Sequence, residues 1–206
     1  MEARWALGKI TGMVQAAEPY VTYEDYLAAE QAGTTKHEWL DGVVYAMAGG
    51  SLEHSRLAGN MHTALKTAFA GCEVFQSAAM LFIRASDLST YADVTLVCGP
   101  VEAQKVERNS KVIGEALINP TVIVEVLSDS TEQYDRGENF AHYMKLPSLE
   151  EYVLVSQDQA RIEVFRRPAR GHWSREQAGP GHTIAIHGKA ISVDEIYRRA
   201  GTTSGT

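Results

Sequence analysis

Three carboxylates stand beside apolar runs, where a globular protein rarely keeps them. Glu38 ends a strand-like segment in KHEWLDG, Asp93 opens DVTLVCG, and Glu125 interrupts the β-branched run TVIVEVL. An ionised carboxylate taken out of water costs several kcal/mol unless it is paired, hydrogen-bonded or metal-bound. A second acid nearby raises the affinity of the first for a proton or a cation. A divalent ion answers both difficulties. Hard oxygen donors without a cysteine pair or a close histidine pair point to magnesium or manganese rather than zinc. An Asp-strand followed about thirty residues later by Glu in an apolar strand is a spacing compatible with such a site. The plainer alternative gives each acid its own Arg or Lys partner, or turns Glu125 to an open sheet edge.

The elements that would carry these acids can be read from periodicity. TVIVEVL has the composition of a strand buried on both faces. Asp41-Gly42 is the dipeptide most favoured in a two-residue hairpin, which places Glu38 at the end of its first strand. Thr22 caps a helix that Gly33 closes, and Ser51 caps a long helix over 52–69 with Leu57, Met61, Leu65 and Ala68 on its core stripe. CEVFQ, MLFIR and DVTLVCG follow as strands. VEAQKVERNSK, polar and without clear periodicity, reads as a surface loop. After TVIVEVL, a helix beginning at Ser130 or Thr131 continues through Gly137 to Leu146, and Pro147 stops it. EEYVLVS, RIEVFRR and HWSREQ read as strands and VDEIYRRAG as a short helix. The basic, aromatic-interleaved segment 161–175 reads as a solvated hairpin. The expected organisation is an N-terminal extension over 1–19, one domain over 20–200 and a disordered tail over 201–206.

The chain has 206 residues, 45% of them hydrophobic, and a formal net charge of −7. That size and composition suit one ordinary globular domain, and the acidity argues against a general nucleic-acid coat protein, without excluding a local basic groove. Cys72 and Cys98 signal neither a disulfide framework nor a cysteine-rich zinc site, so a reducing cytoplasm is expected. No apolar stretch suits a signal peptide or a membrane span, and no membrane partner is expected.

The ordered segments HEWLDGVVYAMAGGSLEH, YADVTLVCG and VIVEVLSDSTEQYDRGENFAHYMKLPSLEEYVLVSQ resemble the Uma-type family of restriction-endonuclease-like proteins, a branch of the PD-(D/E)XK nuclease superfamily. The resemblance runs from about Tyr20 to Tyr197. It implies an α/β (α+β) fold, a restriction-endonuclease-like mixed β-sheet flanked by helices. It also implies an endonuclease that hydrolyses phosphodiester bonds with Mg2+ or Mn2+, acting on nucleic acid, DNA before RNA. Carried over by motif, Glu38, Asp93 and Glu125 are the family's acids. Asp93, Glu125 and the Val126 carbonyl would hold the metal. A homodimer, two sites meeting two strands, follows by the same analogy.

Three departures accompany the resemblance. Ala92 stands for the family's proline, Leu127 for the superfamily's lysine, and Asn139 for the lysine that this branch carries on the next helix. Asn139 is uncharged, so Arg136 and His142, three residues to either side on one expected helix face, are the candidate substitutes. His54 matches a histidine common in the family and reads as a helix-surface or outer-layer residue. Ser128, Ser130 and Thr131 read as turn and cap residues, because no nucleophile elbow surrounds them. A nuclease fold working as a binding module, with weakened catalysis, is the alternative class. A carboxylate-pair glycosidase has no specific support.

Overall fold

The computed structural model describes residues 20–47, 49–169 and 172–199. The expectations for 1–19 and 201–206 lie outside them. Helix α1 (Tyr23–Ala32) is capped by Thr22, whose hydroxyl accepts from the Asp25 N–H, and Gly33 ends it. Strands β1 (His37–Leu40) and β2 (Val43–Ala46) form a hairpin. Asp41 and Gly42 both turn with positive φ, 45° and 85°, the geometry for which Asp-Gly is selected. Helix α2 (Leu52–Ala68) is capped by Ser51 and buries Leu57, Met61 and Leu65 completely.

Strands β3 (Cys72–Gln76), β4 (Leu81–Ile83), β5 (Leu88–Thr90), β6 (Val94–Cys98), β7 (Ala103–Arg108), β8 (Lys111–Leu117) and β9 (Val122–Leu127) follow in order. Helices α3 (Glu132–Arg136) and α4 (Glu138–Tyr143) lead to β10 (Glu151–Ser156), β11 (Ile162–Arg166) and β12 (Ser174–Ala178). The chain continues through β13 (Thr183–Ile186) and β14 (Lys189–Ser192) to α5 (Val193–Tyr197). Two six-stranded mixed sheets result, in orders β2-β1-β5-β4-β8-β7 and β12-β11-β10-β9-β6-β3. The fold is therefore α+β with mixed sheets flanked by helices.

Strand β9 lies inside the second sheet, parallel to β10 and antiparallel to β6, and every one of its residues is buried. Its alternate side chains serve two cores. Val122, Val124 and Val126 pack with α2 and α5 on one face. Ile123 and Leu127 pack with Tyr143, Leu146, Tyr152 and Leu154 on the other. A third cluster, with Tyr26, Leu27, Trp39 and Phe82, seats α1 on the first sheet.

Several expectations are corrected. Residues 101–111 are not a loop: β7 and the start of β8 form a hairpin that turns at Asn109 and Ser110, both with positive φ. β7 is an edge strand with no buried residue, so no apolar face marks its period. β5, β13 and β14, of three or four residues each, are strands additional to those expected. The helix expected through Gly137 is broken there, where φ −115° and ψ −96° are not helical. Arg136 and Asn139 consequently belong to different helices. The arginines of the 161–175 segment are not simply solvated, since Arg166 binds Glu151 and Glu176, and Arg167 donates to the Met144 and Leu146 carbonyls.

Cys72 and Cys98 form a disulfide. They face one another across the antiparallel β3–β6 pair, with Cα atoms 4.4 Å apart, a juxtaposition invisible at a separation of 26 residues. The support that unpaired cysteines lent to a reducing compartment is thereby removed. Among the described residues no helix is long and apolar enough to cross a membrane.

Candidate active site

The candidate site forms where the chain passes from the first sheet to the second. Only Tyr91, Ala92 and Asp93 separate β5 from β6, so Asp93 is delivered at the mouth of β6 beside the middle of β9. Its position is fixed by reciprocal bonds. The Val126 N–H donates to Asp93 Oδ2 at 2.8 Å, and the Asp93 N–H donates to Glu125 Oε2 at 3.2 Å. The other Glu125 oxygen accepts from the Tyr143 hydroxyl at 2.7 Å. Tyr143 is fully buried on α4, so that helix sets the Glu125 rotamer from outside the sheet.

Glu38 comes from β1 of the other sheet. Its carboxylate lies 3.4 and 3.5 Å from the Tyr134 hydroxyl, contacts longer than a strong O–H···O bond. His54, held by the Ser51 cap in the first turn of α2, places Nε2 3.1 Å from Asp93 Oδ2. Asp135 is buried in the last turn of α3, just before the break, and Asn139 Nδ2 donates to its Oδ1 at 3.0 Å. Glu38, Asp93, Glu125, Val126, Asp135 and Asn139 all line one cleft of about 660 Å³.

The electrostatics of this cleft are those of crowded, dry acids. Burial pushes the Glu125 carboxyl well above its ordinary range, and Asp93 and Asp135 push it the same way, against the Tyr143 hydrogen bond. Burial likewise raises Glu38 and Asp135, each with a further contribution from a neighbouring acid. Tyr134 is raised by burial and then by Glu38. His54 moves upward because Asp93 accepts its hydrogen bond, which outweighs the opposing effect of burial.

Among the described residues, none of Glu38, Asp93, Glu125 and Asp135 has a Lys or Arg ion-pair partner, so the alternative in which each acid owns a basic residue is not what the structure contains. The donors that Asp93, Glu125 and the Val126 carbonyl present are all oxygens. That set fits a magnesium-class cation, which takes one or two carboxylates and keeps waters. Among the described residues no three His, Cys, Asp or Glu side chains are grouped closely enough to hold an ion. Glu38 therefore shares the cleft without joining Asp93 and Glu125 around one point.

Arg136 and His142 are not among the residues lining the cleft. From α3, Arg136 reaches Glu163 on β11 at 2.6 Å and binds Glu132 of its own helix at 2.7 Å. Two carboxylates hold its guanidinium and raise its pKa. His142 Nδ1 is buried without a partner, and burial pushes the imidazole below its usual range. Asp135 and Tyr143 were missed by sequence reasoning. The i, i+4 relation of Asp135 to Asn139 was the available signal for the first; Tyr143, which looked like an ordinary helix-stripe aromatic, offered none.

The family profile "Uma2: Putative restriction endonuclease" matches residues 23–191. Protein slr1290 of Synechocystis sp. is 33% identical over 184 residues, which cover 87% of this chain and 93% of that protein. Protein sll1609 of the same organism is 32% identical over 163 residues, covering 78% and 89%. A crystal structure from Anabaena variabilis, described as "a putative nuclease belonging to DUF820", superposes with a TM-score of 0.61 at 17% identity, covering 78% of this chain and 89% of that one. At that identity it establishes the fold.

Proposed function

The chain belongs to the Uma2 family, and from that premise we propose that its acidic cleft hydrolyses nucleic-acid phosphodiester bonds with magnesium or manganese, on DNA in preference to RNA. One observation carries the proposal: Asp93 and Glu125 are locked together by two main-chain N–H bonds, in a cleft that supplies neither with a Lys or Arg. A fold that only had to be stable would have little use for such a pair, since self-repelling buried acids destabilise it.

Asp93, Glu125 and the Val126 carbonyl would hold the cation. When bound, it supplies positive charge to the phosphoryl oxygens and lowers the pKa of a water. The chain's own groups do the rest. The Val126 N–H and Tyr143 hydroxyl fix the two carboxylates in single orientations, so little reorganisation remains when a phosphate arrives. Glu38 and His54, on the cleft walls, are placed to exchange protons with a water or leaving oxygen. Asn139 presents an amide where a cation would strengthen the transition state, and its Oδ1 is buried without a partner. A homodimer that presents two clefts to two strands is part of the same reading, by analogy with nuclease folds of this size.

A second reading is favoured by the same cleft wall. No Lys or Arg lines the cleft among the described residues, so a nuclease fold that binds and cleaves poorly is the competitor. Thermal unfolding under a magnesium and manganese series, run beside cleavage assays on supercoiled, linear and single-stranded DNA and on RNA, separates the two. The nuclease reading expects a melting temperature that climbs with log metal concentration, together with cut product. Metal-insensitive melting with no product in any metal would overturn it.

A further inference from the structure

The acidic cleft does not end at Asp93. A second groove, also of about 660 Å³, runs on from it and shares His54, Tyr91 and Asp93 with it. Its chemistry differs sharply. Thr34, Thr35, Ser55 and Ser77 supply hydroxyls, Gly59 contributes no side chain, and among the described residues Asp93 is the single acid on its wall. Lys36 is its cation. The ammonium donates to the Ser77 carbonyl and sits 5.0 Å from the centre of the Tyr91 ring, which leaves two of its three donors to other acceptors. Among the described residues no carboxylate pairs with it.

A phosphodiester chain entering the cleft from the opposite side would pass Asp129 and Asp158 as well as Glu38 and Asp135. Those acids repel each approaching phosphate, whereas hydroxyls and an ammonium with no carboxylate partner are groups that position one. We propose that this groove is the strand track of the enzyme: it holds the nucleic-acid backbone on one side of the scissile phosphate, with Lys36 contacting a phosphate, so that the strand reaches Asp93 and Glu125 from that side only. The proposal rests on the nuclease reading and gives it a direction.

The decisive variant puts a carboxylate into the track without disturbing the fold. Gly59 is exposed on α2, and a Cβ built there meets nothing within 4 Å, so Gly59→Glu is tolerated sterically and favoured by helix propensity. Binding of a fluorescent oligonucleotide is measured in magnesium, in a Glu125→Gln background to prevent cleavage, across a salt series. Gly59→Glu is expected to weaken the Kd by about five- to tenfold, while Val112→Glu, which adds the same charge on exposed β8, leaves it within a factor of two. Lys36→Ala should weaken binding severalfold and reduce the slope of log K against log salt by about 0.7–0.9, the loss of one phosphate contact. If the parent protein binds and both variants match it in Kd and slope, the track is wrong and the nuclease reading stands. If the protein neither binds nor, with Glu125 intact, cleaves any oligonucleotide, both fall.

Discussion

Glu125 and Glu163 are a natural experiment within one sheet. Both pair with Leu154, Glu125 from the parallel side and Glu163 from the antiparallel side, so both project from the same face two strands apart. Both are at least nine-tenths buried, at 7% and 3% exposure. Their surroundings are opposite. Arg136, Arg161 and Arg175 converge on Glu163 and hold its carboxyl below the ordinary range, despite the upward push of burial. Glu125 has a tyrosine hydroxyl, one backbone N–H and two neighbouring acids, and its carboxyl is pushed up. A buried carboxylate in a strand is therefore not by itself a site. The difference lies in whether the fold has supplied its counter-charge, and for Glu125 it has not.

The largest expected effect on this contrast is catalytic. Asp93→Asn or Glu125→Gln should reduce metal-dependent cleavage by roughly 10²–10⁴, the usual worth of groups that activate or position a nucleophile. Glu163→Gln should leave the rate within a factor of a few. Equal losses at both glutamates, measured as initial rates at saturating metal, would erase the distinction.

A smaller gain is expected from Asn139→Lys. A cation beside Asp135 at the cleft wall should raise the cleavage rate about tenfold and change binding much less. A variant no faster than the parent would mean that the missing charge does not limit the reaction.

Stability should run the other way. Glu163→Gln strands part of an arginine cluster and should cost about 1–3 kcal/mol, lowering the melting temperature by roughly 2–4 °C per kcal/mol. Metal-free Glu125→Gln removes a repelling charge and should be as stable as the parent or more so. Parallel losses in scanning calorimetry would make both glutamates structural.

The smallest effect is in pH. Glu38, Glu125 and Asp135 are raised in the folded state, so the folded protein holds their protons more tightly than the unfolded chain does. Their contribution is complete below the ordinary carboxylate range, about pH 4, and is lost as pH rises through their raised values. Glu163 is lowered, so its contribution is present above that range and is lost as pH falls through its own value. Urea unfolding of the metal-free protein should thus show a smaller loss of stability on the alkaline side in Glu125→Gln than in the parent, by on the order of 1 kcal/mol. Superimposable profiles would mean that Glu125 is not held high.

Local pattern alone determined the elements that carry the acids: Asp41-Gly42 turns one hairpin, Ser51 caps the helix that presents His54, and an unbroken β-branched run makes β9 a buried strand around Glu125. Turn chemistry, capping and periodicity act over a few residues and are written in them. The hairpin β7–β8 escaped the same reading because β7 buries no residue and β8 is buried only at its end, so neither carries a regular alternation. Tertiary structure alone decided who meets whom. It set Asp93 against Glu125, brought Asp135 to the cleft and Tyr143 behind Glu125, paired Cys72 with Cys98, and gave Arg136 to Glu163 across 27 residues instead of to the site. The break at Gly137 adds to this: a helix continuous through it would have set Arg136 and Asn139 on one face, and a single non-helical residue puts them on different helices. Which buried carboxylate keeps a counter-ion and which is left to find one depends on distances between segments far apart in the chain, and no local pattern encodes those.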